Sequence, residues 1–201
     1  TGLTAGTAYT FTVTATNSGG TGAASTASSA VTPFGAVTQF SVTQSGGSSA
    51  VASPQTAGSA FSVRVRALDS GGRLNTAFTG TVGLTSTAWS GTTNAVISTG
   101  GYVDAISVTP TVAGAAQVIA AASGAVTTSS ASGAFTVSPA VATKLVVGAV
   151  GQQSAGVPFS VTATLTDTYG NAVDNTGATG TVTLTRSAGT CLLYTSPSPR
   201  D

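Results

Sequence analysis

The chain has 201 residues but only six Lys and Arg, five acidic residues and no His, so its net charge is +1 and its charged fraction 5%. So sparse a charge leaves no electrostatic footprint for nucleic acid or an anionic membrane surface, and the missing imidazole removes the commonest general base and metal ligand. Hydrophobic residues nevertheless reach 41% and alternate with Thr and Ser in short runs, the pattern of half-buried strands rather than of a disordered chain.

Helix formers are scarce, while Thr, Val, Ser, Ala and Gly dominate, which predicts an all-β chain. No apolar run approaches the ~20 residues that a membrane-spanning helix needs. The most apolar stretch, 145–150, is strand-sized, so no membrane insertion is expected.

In chain order, residues 1–33 open with Leu3, Gly6 and Tyr9, continue with Phe11, Val13 and Ala15 at period two, and leave through Val31, Thr32 and Pro33. This pattern resembles the last third of a bacterial fibronectin type III domain. The resemblance implies a tyrosine corner, with the Tyr9 ring beside Leu3 and its hydroxyl bonded to the backbone near Ala5. It also implies that Phe11, Val13 and Ala15 face a core while Thr10, Thr12 and Thr14 face solvent.

Residues 34–139 form the next unit. Alternation and Gly/Ser breaks predict strands over 38–43, 61–69, 80–85, 102–108, 115–122 and 134–137, enough for an immunoglobulin-like sandwich. In the second of these, Phe61, Val63, Val65 and Ala67 point inward and Arg64 and Arg66 outward. Leu68 then falls on the wrong face, which a bulge would explain.

The segment 57–69 (AGSAFSVRVRALD) returns at 155–167 (AGVPFSVTATLTD), and 80–86 (GTVGLTS) returns at 180–186 (GTVTLTR). Self-similarity at about one sandwich per period predicts tandem domains. Residues 140–190 then form the amino-terminal half of a second such domain, with 143–147 matching 38–42. Both copies resemble the bacterial Ig-like modules of surface adhesins and other long exported proteins. An Asp-x-x-Gly-Asn turn after the second strand is common in that family. It stands here as Asp167-Thr168-Tyr169-Gly170-Asn171, and in the earlier copy as Asp69-Ser70-Gly71-Gly72-Arg73, which keeps the Asp and the Gly. The departure points to turn chemistry, with Gly supplying a positive φ and Asp capping the loop backbone.

Residues 191–201 (CLLYTSPSPRD) break the style of the rest and hold the only Cys. They resemble a translated transposase adapter from a tagmentation sequencing library and are expected to be an artefact. Without Cys191 the chain has no thiol for a disulfide, a zinc site or a nucleophile.

Little else carries chemistry. With no His, Glu or native Cys, the hydroxyls lack an activating partner, so no catalytic, cofactor-binding or metal residue is assigned and the protein is expected not to be an enzyme. Four features admit a functional reading beside a structural one. Asp167 and Asp174 flank one loop but fall short of the six or more oxygens of a calcium site. Asp69 has no second acid nearby, and is favoured as a turn residue. Arg64, Arg66 and Arg73 form a small basic set that more simply keeps an outer face soluble, the alternative being a site for sulfated sugars. Trp89, in a Ser/Thr/Gly-rich loop, is expected to plug the end of the core rather than stack on a sugar.

The functional expectation is a monomeric, non-catalytic spacer or stalk of a bacterial cell-surface or secreted adhesin-like protein. Carbohydrate or host-surface partners would be met by other domains, with no nucleic acid and no cofactor. The alternatives are accessory modules of a secreted, multimodular polysaccharide-degrading enzyme, or a directly ligand-binding adhesive module. The adapter reading makes a first prediction. Sequencing the source DNA without tagmentation should give a different sequence after Thr190, continuing with three alternating strands within about 60 residues, the balance of a sandwich. Recovery of CLLYTSPSPRD followed by a stop codon would show both the artefact and the longer array to be wrong.

Overall fold

A computed structural model describes residues 2–47, 49–130, 132–174 and 182–183. Residues 191–201 and most of the repeat at 180–186 therefore lie outside the described residues. Among those described there are fourteen strands and no helix, as expected of a chain so rich in β-branched residues. The strands are β1 (Thr16–Asn17), β2 (Gly20–Thr21), β3 (Gln39–Gln44), β4 (Gln55–Thr56), β5 (Phe61–Leu68), β6 (Gly80–Ser86) and β7 (Thr93–Ile97). They continue with β8 (Tyr102–Val108), β9 (Gly114–Gln117), β10 (Ile119–Ala122), β11 (Thr128–Ser130), β12 (Phe135–Ser138), β13 (Lys144–Val147) and β14 (Ala163–Thr166).

The centre of the chain is sandwich-like. A four-stranded sheet in the order β11-β3-β5-β8 and a three-stranded sheet β10-β6-β7 contribute to one core, with a small sheet β4-β12-β9 beside them. Alternation chooses the inward residues: Phe40 and Val42 from β3, Val63, Val65 and Ala67 from β5, Val82 and Leu84 from β6, and Ile119 and Ala121 from β10 are all buried together. Two edge-on aromatic pairs, Phe40 with Phe78 at 5.5 Å and Phe61 with Phe135 at 5.8 Å between centroids, close the packing, a geometry that aromatic quadrupoles favour.

Three sequence expectations need correction. The single strand expected over 115–122 is two, β9 and β10, broken at Val118 and paired to different sheets, β9 with β12 and β10 with β6. Strands β4 and β11 were hidden because Gln, Thr and Ser supply all their residues, and β7 because its apolar residues are the run Ala95, Val96 and Ile97, so no apolar alternation marks them. The bulge invoked for Leu68 lies instead in β8. There Val63 pairs with Ile106 and Val65 with Val103, one residue more on β8 than on β5, and Ala105 takes φ 55°. Leu68 itself ends β5 and is buried, bridging back to Leu74 across the following turn.

At the amino-terminal end the backbone ladder Tyr9–Val31, Phe11–Ser28, Val13–Ser25 and Ala15–Gly22 forms a long hairpin. Phe11 and Val13, expected to face a core, are 50% and 72% exposed. The Phe11 and Val13 N–H groups donate to the Ser28 and Ser25 hydroxyls, and no second sheet among the described residues covers that face. At the other end β13 and β14 pair as Lys144 with Thr166 and Leu145 with Leu165. This is the register of β3 with β5, Gln39 with Leu68 and Phe40 with Ala67, moved along both strands. The sequence repeat is thus also a repeat of pairing.

The central core makes a second prediction. Leu84 is fully buried between the sheets, so Leu84→Ala should cost about 2–5 kcal/mol through lost burial and a residual cavity. Its exposed neighbour Thr85 should tolerate Ala within about 0.5 kcal/mol. Urea denaturation of the two variants measures both, and equal effects would place Leu84 outside the core.

Candidate functional site: the buried aspartate loops

The most organised polar chemistry lies in the two Asp-x-x-Gly turns. Each begins where a central strand ends, β5 at Leu68 and β14 at Thr166, and each turns back on itself. Asp69 N–H donates to Arg73 O and Gly72 N–H to Asp69 O, while Asp167 N–H donates to Asn171 O and Gly170 N–H to Asp167 O. Gly72 and Gly170 sit at φ 74° and 90°, the left-handed region that a side chain disfavours. The turn chemistry read from the sequence is therefore present in both copies.

The aspartates do more than cap a turn. Asp69 and Asp167 are 1% and 0% exposed, and a buried carboxylate survives only if donors replace its lost water. Asp69 Oδ1 accepts from the N–H groups of Gly71 and Arg73, and its Oδ2 accepts from Gly35 N–H at 2.9 Å. Asp167 Oδ1 accepts from Tyr169 and Asn171, and its Oδ2 from Ala140 N–H at 2.9 Å and from the Asn171 side-chain amide at 2.8 Å. Gly35 and Ala140 lie in the stretches that lead into β3 and β13. Each aspartate therefore ties its own turn to the chain entering the unit that it belongs to. Sequence reasoning missed these partners because they lie 34 and 27 residues away. The only signal was the recurrence of Asp after a strand-ending apolar stretch.

The same donors set the acidity of these groups. For Asp69 the Gly35 and Arg73 N–H groups, against the opposing effect of burial, hold the carboxyl below its usual range. For Asp167 burial works upward, but the Asn171 amide and the N–H groups of Ala140, Asn171 and Tyr169 outweigh it and bring the carboxyl from 3.8 down to about 2. Both carboxylates are turned onto N–H donors, so a cation there would have to displace those bonds. Among the described residues no three His, Cys, Asp or Glu side chains gather into a group that could hold a metal.

The three arginines do not form one patch. Arg64 is ion-paired with Asp104 and lies 5.2 Å over the Tyr102 ring. Asp104 also accepts from the Ser45 hydroxyl, and Arg64 first, then Ser45, hold it well below the usual carboxylate range. Arg66 shares a shallow hollow of about 390 Å³ with Arg64, Gly47, Leu74 and Tyr102. Arg73 instead lies on the aspartate loop, 3.7 Å from Asp69. Trp89 is 9% exposed and packs in the central core, which leaves little of its ring for stacking. Its indole N–H has no acceptor among the described residues, beside a hollow of about 340 Å³ lined by Ser90, Thr93, Ser107, Thr109 and Thr111.

At the amino-terminal hairpin the Tyr9 hydroxyl accepts from Thr4 N–H at 3.0 Å, one residue from the expected Ala5. That bond lowers the pKa of the phenol. Leu3, expected against the ring, is half exposed. Among the described residues no helix is long and apolar enough to cross a membrane. No protein-family profile, curated protein or solved structure shows significant similarity to the chain.

A third prediction follows from the acidity of the loops. The folded-state pKa of Asp167 lies below the unfolded value of 3.8, so the stabilisation is complete above that value and is lost as pH falls through about 2. Asp69 shifts in the same direction. Asp167→Asn should therefore lower the melting temperature at pH 6, with the difference from wild type shrinking between pH 4 and pH 2. A difference that stays constant down to pH 2 would remove the carboxylate from the folding balance.

Proposed function

We propose that this chain is a non-catalytic spacer segment of a long bacterial surface or secreted protein, built from a fibronectin type III-like end (1–33) and tandem Ig-like units (34–139 and 140–190). The observation that carries the reading is the recurrence of one joint. The same strand pair, in the same register, is followed by the same buried aspartate tied to the same point of the incoming chain, once at Asp69 and once at Asp167. A chain that repeats its joints as well as its strands is organised to set distance and direction, since length in such arrays grows with the number of units.

The Thr4–Tyr9 hydrogen bond and the hairpin ladder support the fibronectin-like reading of the first segment. The chemistry of the chain supports the absence of catalysis. The carboxylates of Asp69, Asp104 and Asp167 are occupied by backbone donors or by Arg64, and no imidazole is present to activate a hydroxyl. The second reading, accessory modules of a secreted polysaccharide-degrading enzyme, uses the same joints and differs in what flanks them.

The fourth prediction separates the two. The full reading frame around these residues should carry further Asp-x-x-Gly turns at roughly sandwich-length spacing of about 100 residues, together with a surface anchor. A glycoside-hydrolase domain in that frame would favour the second reading. Turnover of a polysaccharide by the 201-residue chain itself would overturn both.

A further inference from the structure

The two aspartate loops share their buried carboxylate and, beyond the exchange of Ser70 for Thr168, differ at the positions two and four residues after the Asp. In the first loop these are Gly71 and Arg73, in the second Tyr169 and Asn171. Both differences face what lies before the loop in the chain. The Arg73 guanidinium lies against Gly6, where an added Cβ would come within 2.5 Å of it. Gly71 makes that placement possible, because a Cβ there would stand 2.1 Å from Arg73 Nη1. The Arg73 guanidinium thus occupies the space that a side chain at position 71 would take.

In the second loop the Asn171 side chain donates to Thr111 O and accepts from Ala113 N–H, both at 2.9 Å. One amide thus pairs both ways with a loop backbone of the central sandwich, much as a strand would. The Tyr169 ring lies over Gly58, where a Cβ would stand 2.4 Å from the phenol oxygen. Gly58 N–H in turn donates to Pro110 O at 2.7 Å, so the surface under Tyr169 and the surface under Asn171 are one end of the central sandwich. Beside it is a hollow of about 450 Å³ lined by small residues that include Gly114, Ala115 and Ser138, with Asn171 and Ala172 facing them.

We propose that the residues two and four places after the buried aspartate are a docking pair that reads the unit before it: Tyr and Asn for a sandwich of this chain's own type, Gly and Arg for the tight turn at Ala5–Gly6. The partner surface is defined by its chemistry. It needs a glycine bare enough to take an aromatic ring and, beside it, a backbone N–H and C=O spaced to meet one carboxamide. Gly58 and the loop 111–113 supply these. Gly156, 98 residues after Gly58, repeats its left-handed φ, 78° against 80°. No other described residue comes within 4 Å of where its Cβ would stand. The carboxyl-terminal hairpin thus carries the receiving glycine for another Tyr-Asn loop. The inference rests on the modular reading above but concerns the joint alone, so it can fail while the spacer role stands.

The test uses the whole chain, with amide exchange at Ala113 and 15N relaxation of β13–β14 compared with β6–β7. In the wild type Ala113 N–H should be protected and the two strand pairs should tumble together. Asn171→Ala should speed Ala113 exchange by roughly 2- to 10-fold, the loss of one hydrogen bond, and loosen the relative tumbling. Protection in β6 should not change. Tyr169→Ala should loosen the joint as well, whereas Tyr169→Phe, which keeps the ring, should not. Transplanting the other pair, Tyr169→Gly with Asn171→Arg, should loosen it at least as much as Asn171→Ala. Independent tumbling in the wild type, or an Ala113 amide indifferent to both alanine variants, would overturn the proposal. Loss of β6 protection in an alanine variant would mark a folding defect, and the comparison of Tyr169→Phe with wild type and with the transplanted pair would then decide.

Discussion

A carboxylate taken out of water must be given donors in return, and that requirement organises this chain. Asp69 and Asp167 are both inaccessible, and a single turn supplies two N–H groups to each, enough for one oxygen. The second oxygen also takes a donor from outside the turn. In both copies a backbone N–H of the incoming chain, from Gly35 or Ala140, satisfies it. The cost of an unpaired buried charge therefore fixes where the chain enters each unit, and with that the register of the first strand on the second.

That constraint runs through the neighbouring bonds. Thr38 N–H donates to Leu68 O, and Thr143 N–H to Thr166 O, one step beyond each aspartate contact. At the first joint Asn75 adds a bond from its side-chain amide to Gly35 O, and Gln39 one to Asp69 O. The second has Val173 where Asn75 would be, and instead turns the Asn171 amide both onto Asp167 and onto Thr111 O. The two joints thus reach polar satisfaction by different side chains around one invariant carboxylate. Polar satisfaction of this kind favours one geometry over nearby ones, since each alternative leaves a buried donor or acceptor unpaired.

The sequence disclosed the parts of the fold that are local and periodic. Strands β5, β6 and β8 were legible because apolar residues alternate along them, and the repeat was legible because Phe, Ser, Val and Asp recur at fixed offsets. Strands β4, β7 and β11 were not, since their pairing is imposed by neighbours rather than marked by apolar alternation of their own. The break at Val118 was invisible for a related reason: a run of small apolar residues reads the same whether one sheet or two receives it. The candidate site was half legible. Asp, Gly and their spacing announced a turn, but nothing in a linear pattern says that a turn aspartate is buried, or that its partner lies some thirty residues earlier.

The exposed faces of the two end segments fit the same physics. Phe11 and Val13 at one end, and Leu145, Val146 and Val147 at the other, stand open along hydrogen-bonded hairpins. Hydrogen bonds organise these hairpins, without a second sheet over them among the described residues, whereas the central unit joins two sheets over one core. Isolated hairpins are marginal in water, so the burial that stabilises the described residues is concentrated in the central, sandwich-like unit. The aspartate joints then serve to couple the weaker hairpins to it. Asn171 and Tyr169 are placed where that coupling acts, with one bonded to the central unit's backbone and the other lying over its bare glycine. Contact between the second aspartate loop and the central unit thus rests on a handful of polar and aromatic side chains rather than on the interior of either. Exchanging those side chains changes the joint and leaves the cores untouched.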